Sequence, residues 1–355
     1  MGLLEETLSS ITRPDESAMQ AVKERINSLT MPRWALGRIC DLAVKLAGIT
    51  GKVPPSVARR LVVTMAGDHG VVEEGVSLHG REVTRQMVAN IIAGGAGVNV
   101  LARLNGADVV VADFGMATRD ESLVSSGKLL DCSIGKGTAN MAKGPAMSRE
   151  QATLAIEKGI GVAQHYAGAI DVFATGEMGI GNTTPATAIA ACFTGLPVPM
   201  LTGSGTGIDS LGLAHKAAVI EKSLELNRPD SADGLDVLAK IGGFEIGGIA
   251  GLILGAAALR KPVLVDGFIS TAGLMIANAL CPNVMLHAIL AHESAEPGHV
   301  IMCEWLGEEP LLKLGMRLGE GTGAAMAMNI VEAAVRILTE MATFDSAGVD
   351  AKLEG

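Results

Sequence analysis

An α/β protein built on a parallel sheet is predicted by three features of the sequence. Short apolar runs alternate with longer helical stretches along most of the chain, the order that right-handed strand–helix–strand crossovers require. The apolar fraction is 48%, yet aromatics make up only 3% and glycines number 45. Such a small-residue composition suits strands buried on both faces beneath closely packed helices. Each apolar run also ends in glycine and polar residues, so the functional groups of the sheet are expected along its carboxyl edge, where open α/β sheets bind ligands.

The first fifty residues look helical. Met19, Val22, Ile26 and Leu29 fall on one face, as do Leu36, Ile39, Ala43 and Leu46, with Pro14 and Pro32 as punctuation and a linker over 51–55. A strand over 61–66 then ends in Gly67-Asp68-His69-Gly70. Helical stretches over 82–92 and up to 104 precede a second strand at 108–112, and the polar, glycine-rich stretch 127–143 reads as a long loop. Ser148 with Gln151 three residues on opens a capped helix running to about 165. A buried strand over 170–174 leads into a loop of three glycines, one carboxylate and small polar residues, and Pro185 starts a helix. Residues 199–202 lead into Gly203-Ser204-Gly205-Thr206-Gly207, followed by a helix through Lys216. Helix 245–259, strand 262–266, helix 268–280 and strand 284–290 continue the alternation. After Leu318-Gly319-Glu320-Gly321, Met326, Ile330, Ala333, Ile337 and Met341 mark the apolar face of a final long helix.

Charge and composition narrow the function. The net charge is −10 and no basic block occurs, which argues against a nucleic-acid partner. Mean hydropathy is +0.37, but the long uncharged runs carry prolines, glycines and asparagines, so no membrane span is expected. Five scattered cysteines without a CxxC pair, and no signal peptide at the start, point to a reducing cytoplasm.

Two glycine loops are candidate anion cradles: Gly176-Glu177-Met178-Gly179-Ile180-Gly181-Asn182-Thr183, at a strand-to-helix turn, and 203–207. Glycine lets backbone N–H groups approach a ligand, and a helix N-terminus favours a phosphate. An ordinary tight turn is the alternative for each. The second loop lacks the lysine of a nucleotide P-loop, which disfavours ATP chemistry. Glu320 is either an exposed first-turn carboxylate favouring its helix dipole or, if a pocket closes over it, a general base. Glu177 carries the same ambiguity, and Lys216 could be simply solvated. His292, Glu293, Glu296 and His299 do not keep a His-Glu-x-x-His spacing and Pro297 interrupts them, so no metal is expected. No nucleophile elbow is present.

Together these pieces resemble the nicotinate-nucleotide:dimethylbenzimidazole phosphoribosyltransferase family. The resemblance rests on Ala66-Gly67-Asp68-His69-Gly70-Val71, Glu82-Val83-Thr84-Arg85-Gln86-Met87, the 176–184 loop, Gly205-Thr206-Gly207, Asp266-Gly267-Phe268-Ile269-Ser270, residues 292–299 and Met316-Arg317-Leu318-Gly319-Glu320-Gly321-Thr322-Gly323. It implies a Rossmann-like parallel-sheet domain over 58–324 and a small helical domain from both termini, 1–57 plus 325–355. It implies transfer of 5-phosphoribose from nicotinate mononucleotide to 5,6-dimethylbenzimidazole or a related azole, without a cofactor, by a homodimer whose neighbouring subunit completes the active site. Glu320 matches the catalytic base, and Glu177 and Lys216 match an active-site glutamate and lysine. Gly176, Met178, Gly179, Gly181, Asn182, Thr183, Gly205, Thr206, Gly207, Asp266 and Ser294 match the nucleotide surroundings. Gln86 is placed in the base pocket, and Leu318 is a further substrate-binding position. Ser204 and Leu78-His79-Gly80 depart from the family pattern. A nicotinamide-dinucleotide dehydrogenase would need a Gly-x-Gly-x-x-Gly after the first strand, which is missing; a non-catalytic nucleotide-binding protein is the other alternative.

Overall fold

The computed structural model describes residues 2–203, 205 and 207–350. Six parallel strands form one sheet: β1 (Arg60–Gly67), β2 (Ala107–Gly115), β3 (Leu129–Asp131), β4 (Val172–Met178), β5 (Val263–Val265) and β6 (Ala288–Leu290). Their order is β3-β2-β1-β4-β5-β6. This is the doubly wound Rossmann order, in which the chain leaves β1 to one side and returns to pair β4 on the other. The register sets Thr64 beside Gly176, Met65 beside Glu177 and Ala66 beside Met178. Both strands therefore end level at the topological switch point.

Alternation along β1 sorts side chains between two cores. Leu61, Val63 and Met65 join Phe114 and Phe173 beneath the helices Arg149–Tyr166, Phe244–Ala258 and Phe268–Leu280. Val62 and Ala66 join Val111, Ala174 and Leu264 on the opposite face, under the helices Arg38–Thr50, Gly97–Leu104 and Thr322–Glu340. The chain ends meet on this second face. Arg25, in the last turn of the helix Glu16–Asn27, donates to the carbonyls of Leu338 (3.1 Å) and Met341 (2.9 Å). Buried Arg60 at the start of β1 pairs with Glu332 of the final helix at 2.5 Å.

Several elements differ from the sequence reading. The stretch 127–143 contains β3, which only three residues and one pairing partner define. The run 284–290 splits into a 3-10 turn, Pro282–Leu286, and the three-residue β6. β4 continues past Ala174 to Met178, so Glu177 is a strand residue and the turn proper begins at Gly179. The next helix, Thr183–Thr194, starts two residues before Pro185; proline is tolerated there because first-turn N–H groups have no intrahelical acceptor. The short helix Gly234–Ile241 has no counterpart in the sequence reading, while Leu3–Ser10 belongs to the helical first fifty residues. Among the described residues, one apolar stretch reaches membrane-spanning length, Glu82–Leu104. It folds as two helices of 11 and 8 residues, Glu82–Ile92 and Gly97–Leu104, each far short of the ~20 residues a bilayer needs.

Candidate active site

A cavity of about 400 Å³ opens at the carboxyl ends of the central strands. Glu177, Met178, Gly179, Gly181, Asn182 and Thr183 line it, together with Gly205, Lys216, Asp266, Ser294, Leu318 and Glu320. The 176–184 loop and Glu320, remote in sequence, thus share one chamber.

The turn 179–182 is held from below. The Ile180 N–H donates to Thr84 Oγ1 at 3.1 Å, and that hydroxyl donates to Asp68 Oδ1 at 2.7 Å. Asp68 Oδ2 accepts from the Ala117 N–H at 2.8 Å. His69 Nε2 pairs with the buried Glu245 Oε1 at 2.7 Å, just beneath Gly179. The Gly67-Asp68-His69-Gly70 motif therefore braces the turn, and its polar groups are spent on protein partners. Asn182 Nδ2 donates to Glu177 Oε2.

Glu320 resolves its sequence ambiguity in favour of burial. Only 4% of it is exposed, and it does not serve its own helix. Its Oε2 accepts from the Val98 N–H at 3.1 Å, at the start of the helix Gly97–Leu104. Burial raises its pKa, and the Val98 and Gly97 N–H groups oppose that rise. Its backbone stands at φ +63°, between Gly319 at +83° and Gly321 at +99°. A left-handed non-glycine residue costs on the order of 1–3 kcal/mol, and such strain concentrates where a side chain must be aimed. The Glu320 carbonyl accepts from Thr64 Oγ1 at 2.9 Å and packs so closely on Gly176 that a Cβ there would collide with it. A Cβ at Gly319 would likewise collide with Glu177 Oε1, so the two carboxylates belong to adjoining walls.

Burial pushes Glu177 up to about 8; Asn182 opposes the shift, while the charges of Asp266 and Glu245 add to it. Asp266 is spent structurally, accepting from the N–H groups of Ala324 (2.8 Å) and Gly321 (3.3 Å) and so capping the final helix, with His292 Nε2 at 3.7 Å. Its pKa is raised by burial against the pull of His292 and those N–H groups. On the same cavity wall Lys216 Nζ donates to Thr183 Oγ1 (2.7 Å) and the Gly203 carbonyl (3.3 Å). Burial lowers its pKa to about 8, and Glu296 opposes the fall. Ser294 is positioned through His299: its N–H donates to His299 Nδ1 at 2.8 Å, which leaves the ring proton on Nε2 to donate to Thr271 Oγ1 at 2.9 Å. Burial drives the His299 pKa down to about 3, so the ring is neutral. Among the described residues no group of three His, Cys, Asp or Glu side chains is placed to hold a metal ion.

Some sequence-selected residues fall elsewhere. Gly176 lies behind the wall as the seat for Glu320. Gly207 is exposed and outside the lining, and Gln86 is exposed on its helix, whose cavity-facing residues are Val83 and Met87 instead. Helical phase explains the miss: Gln86 lies about 100° around the helix from Met87, on the outer side of Val83. Thr206 and Ser204 lie outside the described residues. The sequence reading also passed over Arg317, whose Nη1 donates to the Gly205 carbonyl at 3.1 Å, and Glu296, which lines the same chamber. Arg317 is one residue from Leu318 and Glu296 two from Ser294, both of which the sequence singled out.

Fold and site together define the class: an α/β protein of Rossmann strand order with a polar cavity at the switch point, where such folds bind ligands. The segment after β1 is a 3-10 turn, Gly70–Glu74, with no dinucleotide fingerprint. A family model described as phosphoribosyltransferase matches residues 11–349. Nicotinate-nucleotide–dimethylbenzimidazole phosphoribosyltransferase of Syntrophotalea carbinolica is 57% identical over 98% of this chain and 99% of its own length. That of Desulfotalea psychrophila is 55% identical over 99% of both. A crystal structure of the Thermus thermophilus enzyme of that name superposes with a TM-score of 0.88 at 40% identity, covering 95% of this chain and 100% of the other. The chain belongs to the nicotinate-nucleotide–dimethylbenzimidazole phosphoribosyltransferase family and is a phosphoribosyltransferase.

Proposed function

We propose that this chain moves 5-phosphoribose from nicotinate mononucleotide to 5,6-dimethylbenzimidazole or a related azole, with inversion, giving α-ribazole 5′-phosphate and nicotinate. The observation that carries the reading is that one cavity gathers a buried lysine and a helix N-terminus with the buried carboxylates of Glu177 and Glu320. Lys216, Gly205 and the start of the helix Thr183–Thr194 take the phosphate, since helix N–H groups and an ammonium both favour an anion. Nicotinate leaves from C1′ of a pyridinium riboside, so positive charge builds on the ribose as the bond breaks. Ionised Glu177 beside the ribose stabilises that charge in a site from which water is largely excluded.

The azole approaches from the face opposite the leaving ring, through its unprotonated nitrogen. Its other N–H becomes acidic as the new bond forms, and Glu320 takes that proton; such general-base help is typically worth about 10²–10⁴-fold. Holding both rings in line supplies on the order of 7–11 kcal/mol toward the barrier. No step calls for a metal or redox cofactor. Val76, Val83, Met87 and Leu318 supply the apolar surface for the base, with Gln86 outside it in a single chain. Leu318 is 62% exposed and Leu78, near the cavity mouth, 65%. That apolar rim supports a homodimer in which the second copy closes the site. Direct packing of the helices Glu16–Asn27, Arg38–Thr50 and Thr322–Glu340 on one another supports treating 1–57 plus 325–355 as one helical unit beside 58–324. The scattered free thiols suit a cytoplasmic location.

The test is incubation with nicotinate mononucleotide and a panel of benzimidazoles, followed by product chromatography. Glu320→Ala is expected to abolish α-ribazole phosphate formation while calorimetry still detects nucleotide binding. Full turnover in that variant removes Glu320 as the base, and absence of any ribazole product in the native enzyme removes the proposal.

A further inference from the structure

Glu296 lies outside the chemistry derived above, yet it is a buried carboxylate on the cavity wall, 6% exposed. It immediately precedes the helix Pro297–Leu306 but its side chain does not cap that helix. Its Oε2 accepts no hydrogen bond among the described residues. Burying a carboxylate oxygen without a partner is costly, so a charge or donor is expected to answer it. The carboxylate lies against Gly203, where a Cβ would collide with Oε2. Gly203 is also the residue whose carbonyl holds Lys216 Nζ, at 3.3 Å.

Lys216 has the complementary problem. It is 1% exposed, and its two hydrogen-bond acceptors, Thr183 Oγ1 and the Gly203 carbonyl, are both neutral. The other charged groups of the chamber do not answer it. Glu177, at the end of β4, is engaged by Asn182; Asp266 caps the helix Thr322–Glu340; Glu320 is held by the Val98 N–H; and Arg317, bonded to the Gly205 carbonyl, adds positive charge. Two buried, opposite charges thus flank one glycine, and among the described residues neither has another counter-charge.

We propose that Glu296 is a positioning residue, the buried counter-charge of the Lys216 ammonium, holding it in place for the substrate's phosphate. Any side chain at 203 would displace the Glu296 carboxylate from this position. The burial that lowers the Lys216 pKa toward 8 is opposed by Glu296 alone, consistent with this arrangement. The phosphate part of the inference rests on the function proposed above; the pairing itself does not.

The experiment is an NMR titration of the full-length protein carrying ε-¹³C-lysine, with the Lys216 signal assigned by its loss in Lys216→Arg. Glu296→Gln is expected to lower the Lys216 midpoint by about one pH unit, since an opposite charge nearby favours the charged form. In parallel, KM for nicotinate mononucleotide is expected to rise about tenfold in Glu296→Gln at pH 8.5 and less than about twofold at pH 6.5, with kcat nearly constant. Glu296→Asp, which keeps the charge, is expected to restore most of both; should the glutamine variant fail to fold, the aspartate variant still moves the midpoint down by a smaller step. An unchanged Lys216 midpoint in whichever variant folds overturns the pairing. A KM change of equal size at both pH values overturns the action on phosphate. If the enzyme does not use nicotinate mononucleotide, the NMR arm alone decides the pair, so the two failures are separable.

Discussion

Replacing Glu177 by glutamine is expected to make the protein more stable while disabling it. The group's folded-state pKa is raised from the ordinary 4.5 to about 8 because burial, with the nearby charges of Asp266 and Glu245, disfavours its ionised form. A raised pKa on an acid means that stability is fully present below 4.5 and is lost as pH rises toward 8, where the folded protein must itself ionise. Each unit is worth about 1.4 kcal/mol, so the native glutamate costs about 1 kcal/mol at pH 5 and about 3 kcal/mol at pH 7 relative to a neutral isostere. Glutamine keeps an oxygen to accept from Asn182 and fits the same space against Gly319. Thermal unfolding of the two proteins from pH 5 to pH 8 checks this. The variant's midpoint is expected to exceed the native one by a margin growing to roughly 5 °C at pH 7. A margin that stays constant across that range refutes the reasoning, because only a protonation difference makes it depend on pH. Loss of turnover with gain of stability would identify Glu177 as a residue kept in a costly place for its chemistry.

The same group shapes the pH dependence of the reaction. kcat/KM is expected to rise with pH as Glu177 ionises and to fall as Lys216 loses its proton, giving a bell with its maximum near 8; Lys216→Arg removes the falling limb, and its persistence would assign that limb to another group. Gly176→Ala drives a methyl into the Glu320 carbonyl. A displacement of the order of 1 Å there is expected to lower kcat about 10²-fold, and wild-type kcat in that variant would show that the seat of Glu320 tolerates movement.

Much of this protein was open to reading from its residues alone. The alternation of apolar runs and helices identified the parallel sheet, because a crossover connection leaves no other pairing for such strands. The motifs around Glu177 and Glu320, with the other five in order along the chain, carried the resemblance to the family. Local rules also served the capped helix at Ser148, where Gln151 Oε1 accepts from the Ser148 N–H at 2.9 Å. What the tertiary structure decided is whatever depends on contacts far apart in sequence. Whether Glu320 is exposed or buried turns on the Val98 N–H, 222 positions away. The three-residue strands β3 and β6 exist only because their neighbours complete the sheet. Gln86 faces outward while Val83 and Met87 face the cavity, a matter of how one helix is rotated against the strands. Glu296 was invisible as a partner of Lys216 because a carboxylate acquires a counter-ion through proximity and burial, and neither is written in its neighbours along the chain. Chemistry can be read from residue types, but the free energies that tune it arise from desolvation, which only the folded packing sets.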